Sequence, residues 1–400
     1  DEGDYDPNTL IVSHSDVEGG SAGIGLGEGT LHWLDGNIES NPRFVNGVNN
    51  DFNLSEGSLC IDAGSALIIH DGIPIVDMSE DEYCGSVPDM GACEFNPGPR
   101  ILLVPAVYAN IQSAIDAAND LDTVRVNPGT YVENLNFSGK NIVVTSTSGP
   151  IETIIDGDQN GCTVLMITGE PETAILEGFT ITNGSGWDND DDNYIGGGLL
   201  CRNNASPILR DLIITGNSTV EVGSENDYSS AGGGMCISEG SEPYVENVLI
   251  EDNQARYGGG LAIVNASPTL ANITIQNNQA TDYLGGAPSD PGGMGGGLYI
   301  GEYAHPILSN ITMFQNTAEN GGAGMMVFEN SDPSFDQVTL SENQNLSANA
   351  PGGGLLVLPG CNPLIESSIF WNNYPDEIYS YNPYTDLHTT ITVSHSDIFE

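Results

Sequence analysis

Between Gly196 and Asn373 the apolar positions recur in one pattern, written six times. Each copy opens on three small residues: Gly196-Gly197-Gly198, Gly232-Gly233-Gly234, Gly258-Gly259-Gly260, Gly295-Gly296-Gly297, Gly322-Ala323-Gly324 and Gly352-Gly353-Gly354. A short triplet follows, such as Leu199-Leu200-Cys201 or Leu261-Ala262-Ile263, apolar at its first and third positions. That is the period of two of a strand. A proline comes eight or nine residues after the glycines, and five and seven residues past it lie further apolar pairs, such as Leu212/Ile214 and Ile273/Ile275. The residue between them is Ile, Leu or Thr in the first five copies, a β-former able to face water. No helix fits between these marks. A repeat of this length without helices predicts a solenoid, in which each coil buries its apolar face against its neighbours. Two or three short strands per coil make it a parallel β-helix.

Each proline is followed at a constant ten residues by an asparagine: Asn217, Asn253, Asn278, Asn316, Asn343 and Asn373. Stacked at one corner, these predict an amide ladder along the axis, a structural role. Residues 174–183 read as a seventh, imperfect copy. The segments between each asparagine and the next glycines are uneven: 184–195, 218–231 and 279–294 are long, 254–257 and 317–321 short. Fixed register sends them all out at one corner, the usual place of a binding face in a repeat protein.

Outside the repeat the pattern changes. Residues 1–98 lack it and form a first unit, ending in the linker-like Asn96-Pro97-Gly98-Pro99. From Arg100 onward a strand, Ile101 to Pro105, precedes a predicted helix over 110–118 with Ile111, Ala114, Ile115 and Ala118 on one face and Asn110 as N-cap. Thr123-Val124-Arg125-Val126 and Asn141 to Ser146 follow as strands. The run Val104-Pro105, Ile111-Gln112-Ser113-Ala114-Ile115-Asp116-Ala117-Ala118, Asp122-Thr123-Val124, Pro128-Gly129-Thr130-Tyr131 resembles the N-terminal cap and first coils of the pectate-lyase-like superfamily. Ser58-Leu59-Cys60-Ile61-Asp62-Ala63-Gly64 and Asp89-Met90-Gly91-Ala92-Cys93-Glu94-Phe95 resemble the C-terminal capping segment of secreted bacterial right-handed β-helix proteins. The resemblance implies an all-β fold: a right-handed parallel β-helix over 99–400 with a short N-terminal capping helix, preceded by a small β-rich cap-like unit over 1–98. It is specific for fold and weak for activity, since that superfamily holds lyases, hydrolases, adhesins and inert fibres.

Charge narrows the partners. Seven Lys and Arg against 56 Asp and Glu give a formal charge of −49. Such a surface repels nucleic acid and anionic membranes and attracts cations. No run of eighteen apolar residues is present, and membrane insertion is not expected. The chain reads as secreted, extracellular or on a cell surface. Its start, Asp1-Glu2-Gly3-Asp4, reads as a mature or excised one. Of seven cysteines, Cys201 falls on the inward strand phase and Cys236 one phase off, so the two are not expected to bridge. Cys84 and Cys93 bracket a short loop and are candidates for a disulfide, with Cys60 as the competing partner. Nine Asn-x-Ser/Thr sequons fall mostly on ladder or turn positions, where structure accounts for them.

The long-loop corner holds the candidate chemistry. Asp188, Asp190, Asp191, Asp192 and Asn193 supply many oxygens within a few residues, as calcium requires, without the spacing of an EF-hand. A solvated acidic loop is the other reading, and both stay open at this point. Trp187, Tyr194, Tyr228 and Tyr283 are candidates to stack on sugar faces. For catalysis, the arginines in successive coils sit at different repeat positions, the histidines are scattered, and stacked acidic coils always offer some carboxylate pair. The chain is therefore expected not to be an enzyme but a rigid surface rod or adhesive filament, with a carbohydrate-active or carbohydrate-binding β-helix as the alternative. One further repetition bears on assembly. Val12-Ser13-His14-Ser15-Asp16 returns as Val393-Ser394-His395-Ser396-Asp397. This predicts head-to-tail joining of copies, with Leu10, Val12, His14 and Asp16 adding a strand beside Val393, His395 and Asp397, unless the chain is a window from a tandem protein.

Overall fold

The computed structural model describes residues 8–70, 72–79, 82–83, 85–95, 98–188, 194–220, 230–282, 292–347, 349–381 and 388–398. The chain divides into two units, residues 1–98 and 99–400.

In the larger unit three parallel sheets run along the coil axis. Sheet A has nine strands, from Leu135–Asn136 to Ile378–Ser380, taken in chain order. Its register stacks Leu199, Met235, Leu261, Leu298, Met325 and Leu355 on one another, all buried and all inward. Sheet B has sixteen strands and sheet C four, the latter made of two-residue strands such as Gln254–Ala255 and Gln279–Ala280. From Leu135 onward each coil contributes one strand to A and either one long strand or two short ones to B, and four middle coils add one to C. The fold is a right-handed parallel β-helix, as the resemblance implied.

The strands of sheet B are longer than the pattern alone indicates. Ile208–Thr215, Tyr244–Glu251, Thr269–Gln276, Ile307–Phe314 and Ser334–Ser341 each span eight residues. Each is bent at its fourth residue, in the left-handed region: Asp211 (φ 53°), Asn247 (55°), Asn272 (57°), Asn310 (54°) and Gln337 (56°). The bend shifts the inward phase by one, so Leu209 as well as Leu212 and Ile214 point into the core. Asparagine and aspartate suit this conformation because their short polar side chains bond locally. One continuous core results, from Leu102 to Phe370, in which each fully buried aliphatic side chain contributes about 1.5–3 kcal/mol.

The asparagine ladder forms as the spacing predicted. Asn217, Asn253, Asn278, Asn316 and Asn343 donate from Nδ2 to Oδ1 of the next asparagine at 2.8–3.0 Å, ending on Asn373. Each acceptor Oδ1 also takes the backbone N–H of the preceding asparagine. The glycine triplets have a separate reason. At Gly259 a Cβ would stand 2.4 Å from the Gln279 carbonyl and 2.6 Å from that of Gly296, both backbone atoms of the next coil. Adjacent coils approach too closely there for any side chain.

The capping helix spans Ile111–Ala117, with Asn110 Oδ1 accepting from Ser113 N. The Glu133 carboxylate accepts the next free N–H groups, of Ile111 and Gln112, at 2.9 and 2.8 Å. Arg100 closes the same end: its Nε and Nη2 donate to Asp122 Oδ2, and its backbone N–H to Oδ1.

The smaller unit begins as coils too. Thr9–Val12 pairs in parallel with Thr30–Trp33, and Asp16 bridges Ile38. Two antiparallel hairpins follow, Phe44–Asn46 with Asp51–Leu54 and Leu67–His70 with Ile73–Asp77. Leu54, Cys60 and Met90 form its small core.

Candidate functional site

The described ends of the first two long segments, among them Trp187, Ile195 and Ala231, lie against the outer face of sheet A. On that face Leu200, Cys236 and Ala262 point away from the core yet are buried. With Cys162 and Ala231 they form a second apolar layer, covered by Trp187, Ile195 and Tyr257 from the connecting segments. This explains Cys236, one phase off and still inaccessible. Burial pushes its thiol up to about 12, and those of Cys162 and Cys201 up as well, so none of the three is a nucleophile at neutral pH. Cys201 and Cys236 are both free, as their phases predicted.

The expected sugar-stacking residues fare unequally. Trp187–Asp188 pairs antiparallel with Tyr194–Ile195. Trp187 lies in the apolar layer with the Arg202 guanidinium 4.8 Å from its ring centroid, so that ring is a structural cover. Tyr194 is half-buried beside it. Tyr228 and Tyr283 lie outside the described residues. So do Asp190, Asp191, Asp192 and Asn193, leaving Asp188 alone of the expected calcium ligands within them. Among the described residues no group of three or more His, Cys, Asp and Glu is placed to hold a metal.

Two half-buried aromatics that the sequence reading did not single out, Tyr257 and Tyr299, pack on the same apolar layer as Trp187. Tyr299 is the middle residue of its sheet A strand, where other coils carry Leu200, Cys236, Ala262, Met326 and Leu356. Its ring folds flat over Gly301, where a Cβ would stand 2.8 Å from Tyr299 Cε1. The neighbouring Tyr257 ring is 5.4 Å away and tilted 54°, with the Arg256 guanidinium 5.3 Å from its centroid. The sequence signal was available: one tyrosine in a column of aliphatic residues, two positions before a glycine in a strand.

Immediately after Gly301 comes a column of acids. Sheet A ends there in a turn with a left-handed residue: Glu239 (φ 52°), Glu302 (55°) and Glu329 (49°) in three of the coils. The Tyr303 N–H donates to the Glu329 carbonyl at 2.9 Å, which stacks the Glu302 turn on the Glu329 turn of the next coil, about 4.8 Å along the axis. Glu239 is paired, its Oε2 accepting from Arg202 Nε at 2.9 Å. Glu302 is an exposed residue whose carboxyl is nonetheless held above the ordinary carboxylate range, first by burial of that end and then by the Glu329 charge. The Glu302 and Glu329 turns are thus stacked three residues past the sheet A position that Tyr299 holds, and the charge of one bears on the carboxyl of the other.

The segments proposed for assembly are coils of one kind. His14 (φ 46°) and His395 (φ 50°) take the same left-handed turn. Ser15 Oγ donates to the Ser13 carbonyl at 2.9 Å and Ser396 Oγ to that of Ser394 at 2.8 Å. Leu10 and Val12 lie on the strand Thr9–Val12, Val393 opposite Ile365, Asp397 opposite Ile369. Asp16 accepts from the Cys60 thiol at 3.1 Å. Cys93 is exposed, and Cys84 lies outside the described residues.

Solved structures that match the chain include a pectin methylesterase from Yersinia enterocolitica, at 11% identity and a TM-score of 0.36 over 72% of this chain and 90% of that one. A rice weevil pectin methyl esterase matches at 13% identity and 0.33, over 81% and 96%. The pectate lyase Pel9A matches at 14% and 0.40, over 76% and 79%. Residues 229–399 match the family model for a right handed beta helix region. No curated protein matches. The expectation that the chain is not an enzyme stands corrected against the matched structures, which are pectin methylesterases and a pectate lyase. Nor do the matches support the expected rod or filament.

Proposed function

Taking the chain as a right-handed parallel β-helix, we propose that it is a carbohydrate-active protein working on a neutral polysaccharide at the outer face of sheet A. The observation that carries this is the Tyr299 ring over Gly301, followed directly in the chain by the stacked Glu302 and Glu329 turns. A tyrosine face receives the C–H face of a sugar ring, and Tyr257 extends the platform. Glu302, held protonated to higher pH, donates to the leaving oxygen. Glu329, exposed, is the partner carboxylate, taking a proton from the water that attacks the anomeric carbon as the glycosidic bond breaks. The net charge selects the substrate: at −49 a polyuronate is repelled, whereas a neutral glycan is not. Polysaccharides of this size are met outside the cell, which supports secretion.

The test is titration calorimetry of the full chain with neutral and with uronate hexasaccharides. A neutral hexasaccharide is expected to bind, and Tyr299→Ala to weaken it tenfold or more while the melting temperature stays within a few degrees, a loss in line with roughly 1–3 kcal/mol per stacked ring. Tighter binding of the uronate, or affinity indifferent to Tyr299→Ala, overturns the assignment.

A further inference from the structure

A second concave surface lies on another face of the coil. The bend in each sheet B strand sets its two legs at an angle, and their outer faces meet in a groove. Over the first coils it encloses about 620 Å³. Glu177 lines the leg before the bend, Ile213 and Leu249 the leg after it, and Gly178, Asp211 and Asn247 the floor. Gly178 (φ 83°) leaves the floor open where later coils place a side chain.

The floor continues as a second amide ladder, unlike the buried one. Asn247 Nδ2 donates to Asp211 Oδ1 at 3.2 Å, Asn272 Nδ2 to Asn247 Oδ1 at 3.3 Å, and Asn310 Nδ2 to Asn272 Oδ1 at 2.7 Å. All four residues are exposed. A side-chain amide has two donor hydrogens and two acceptor lone pairs, and the ladder uses one of each. Asn247 and Asn272 therefore present one N–H and one lone pair outward, a coil spacing of about 4.8 Å apart. The left-handed backbone alone favours asparagine here. What it does not require is a groove at the Asp211–Asn247 end of the ladder with an apolar wall along one side.

We infer that this groove binds a neutral, hydroxyl-bearing glycan chain lying along the coil axis. A hydroxyl both donates and accepts, and so satisfies the free N–H and lone pair of each amide in turn. The C–H faces of the sugar rings rest on Ile213 and Leu249. Charge decides against an anionic polymer: the groove carries Asp211 and Glu177, the latter already paired with Arg210 Nε at 2.5 Å, and has no free cation of its own among its lining residues. The site is separate from the Tyr299 platform and serves to hold the polymer rather than to cleave it.

The experiment uses the full chain carrying Tyr299→Ala, which silences the platform, and a neutral β-linked hexasaccharide as probe. Calorimetry is expected to show one remaining weak site. Adding Asn247→Gly and Asn272→Gly, which remove the amides and keep the left-handed backbone, is expected to weaken it tenfold or more. Chemical shifts of Leu249 methyls are expected to move with the probe in Tyr299→Ala and not in the triple variant. Absence of binding in Tyr299→Ala overturns the inference, as does binding untouched by the glycine substitutions or stronger binding of a uronate hexasaccharide.

Discussion

Asn278 concentrates what holds successive coils in register. Its Nδ2 shares two hydrogens among the Ile250 carbonyl at 2.9 Å, the Gln276 carbonyl at 2.9 Å and Asn316 Oδ1 at 3.0 Å, and its Oδ1 accepts two bonds from Asn253. The residue is fully buried. Asn278→Leu has nearly the same volume but leaves the donors of Asn253 and the Ile250 carbonyl unmatched. At roughly 1–3 kcal/mol per buried unsatisfied group, the substitution is expected to destabilise the β-helix by at least 2 kcal/mol, read as a lower urea midpoint. Exposed Asn272→Gly, which keeps the left-handed backbone, is expected to cost about 1 kcal/mol or less in parallel, and an equal effect at both sites would refute the distinction between the two ladders. The buried ladder was legible in the sequence because it repeats at a constant interval after a proline. Tyr299 over Gly301 was not, because the meaning of that tyrosine lies in the column it shares with residues 27 to 99 positions away in the chain. Trp187 misled for the same reason: its neighbour Arg202 is fifteen residues on, across a hairpin.

At the scale of elements, strands and corners followed from the period of two and the glycine marks, while the bend inside each sheet B strand did not. One left-handed residue re-phases a strand, and nothing in an alternating pattern distinguishes that from a short loop. The capping helix was readable from its apolar face and N-cap; its anchoring to the first coils through Glu133 and Arg100 was not. Asp122 carries a pH prediction for this end. Burial alone would raise its pKa, but the side-chain and backbone bonds from Arg100 and the Asn119 N–H outweigh that, and the carboxyl lies below the ordinary value of 3.8. A depressed carboxyl contributes stability that is present above its unfolded pKa and lost as pH falls through the folded one. Asp122→Asn is therefore expected to lower stability at pH 7 by about 1.5–3 kcal/mol and to flatten the loss of stability below pH 4. A variant that loses stability with acid as steeply as the parent would show that other groups govern the cap.

For the whole molecule, architecture was plain in the sequence and activity was not. Periodicity fixes what faces inward, and a solenoid's core is nearly all periodic. Function depends on what faces outward, where the repeat is deliberately broken: a tyrosine for an aliphatic residue, a glycine beyond it, acids in consecutive turns. Composition misled as well, since 56 acids make any pair look accidental until two are found on stacked turns, with the carboxyl of one raised by its surroundings. The claim that this pair works on a glycan is tested most directly by turnover of neutral polysaccharides by the full chain and by Glu302→Gln. The parent is expected to release reducing ends, with activity falling as pH rises through the raised Glu302 pKa, because the acid must carry its proton. Glu302→Gln is expected to lose at least 100-fold in kcat with an unchanged melting curve, the usual contribution of a general acid being roughly 10²–10⁴-fold. Turnover that survives Glu302→Gln with the same pH profile would contradict the account.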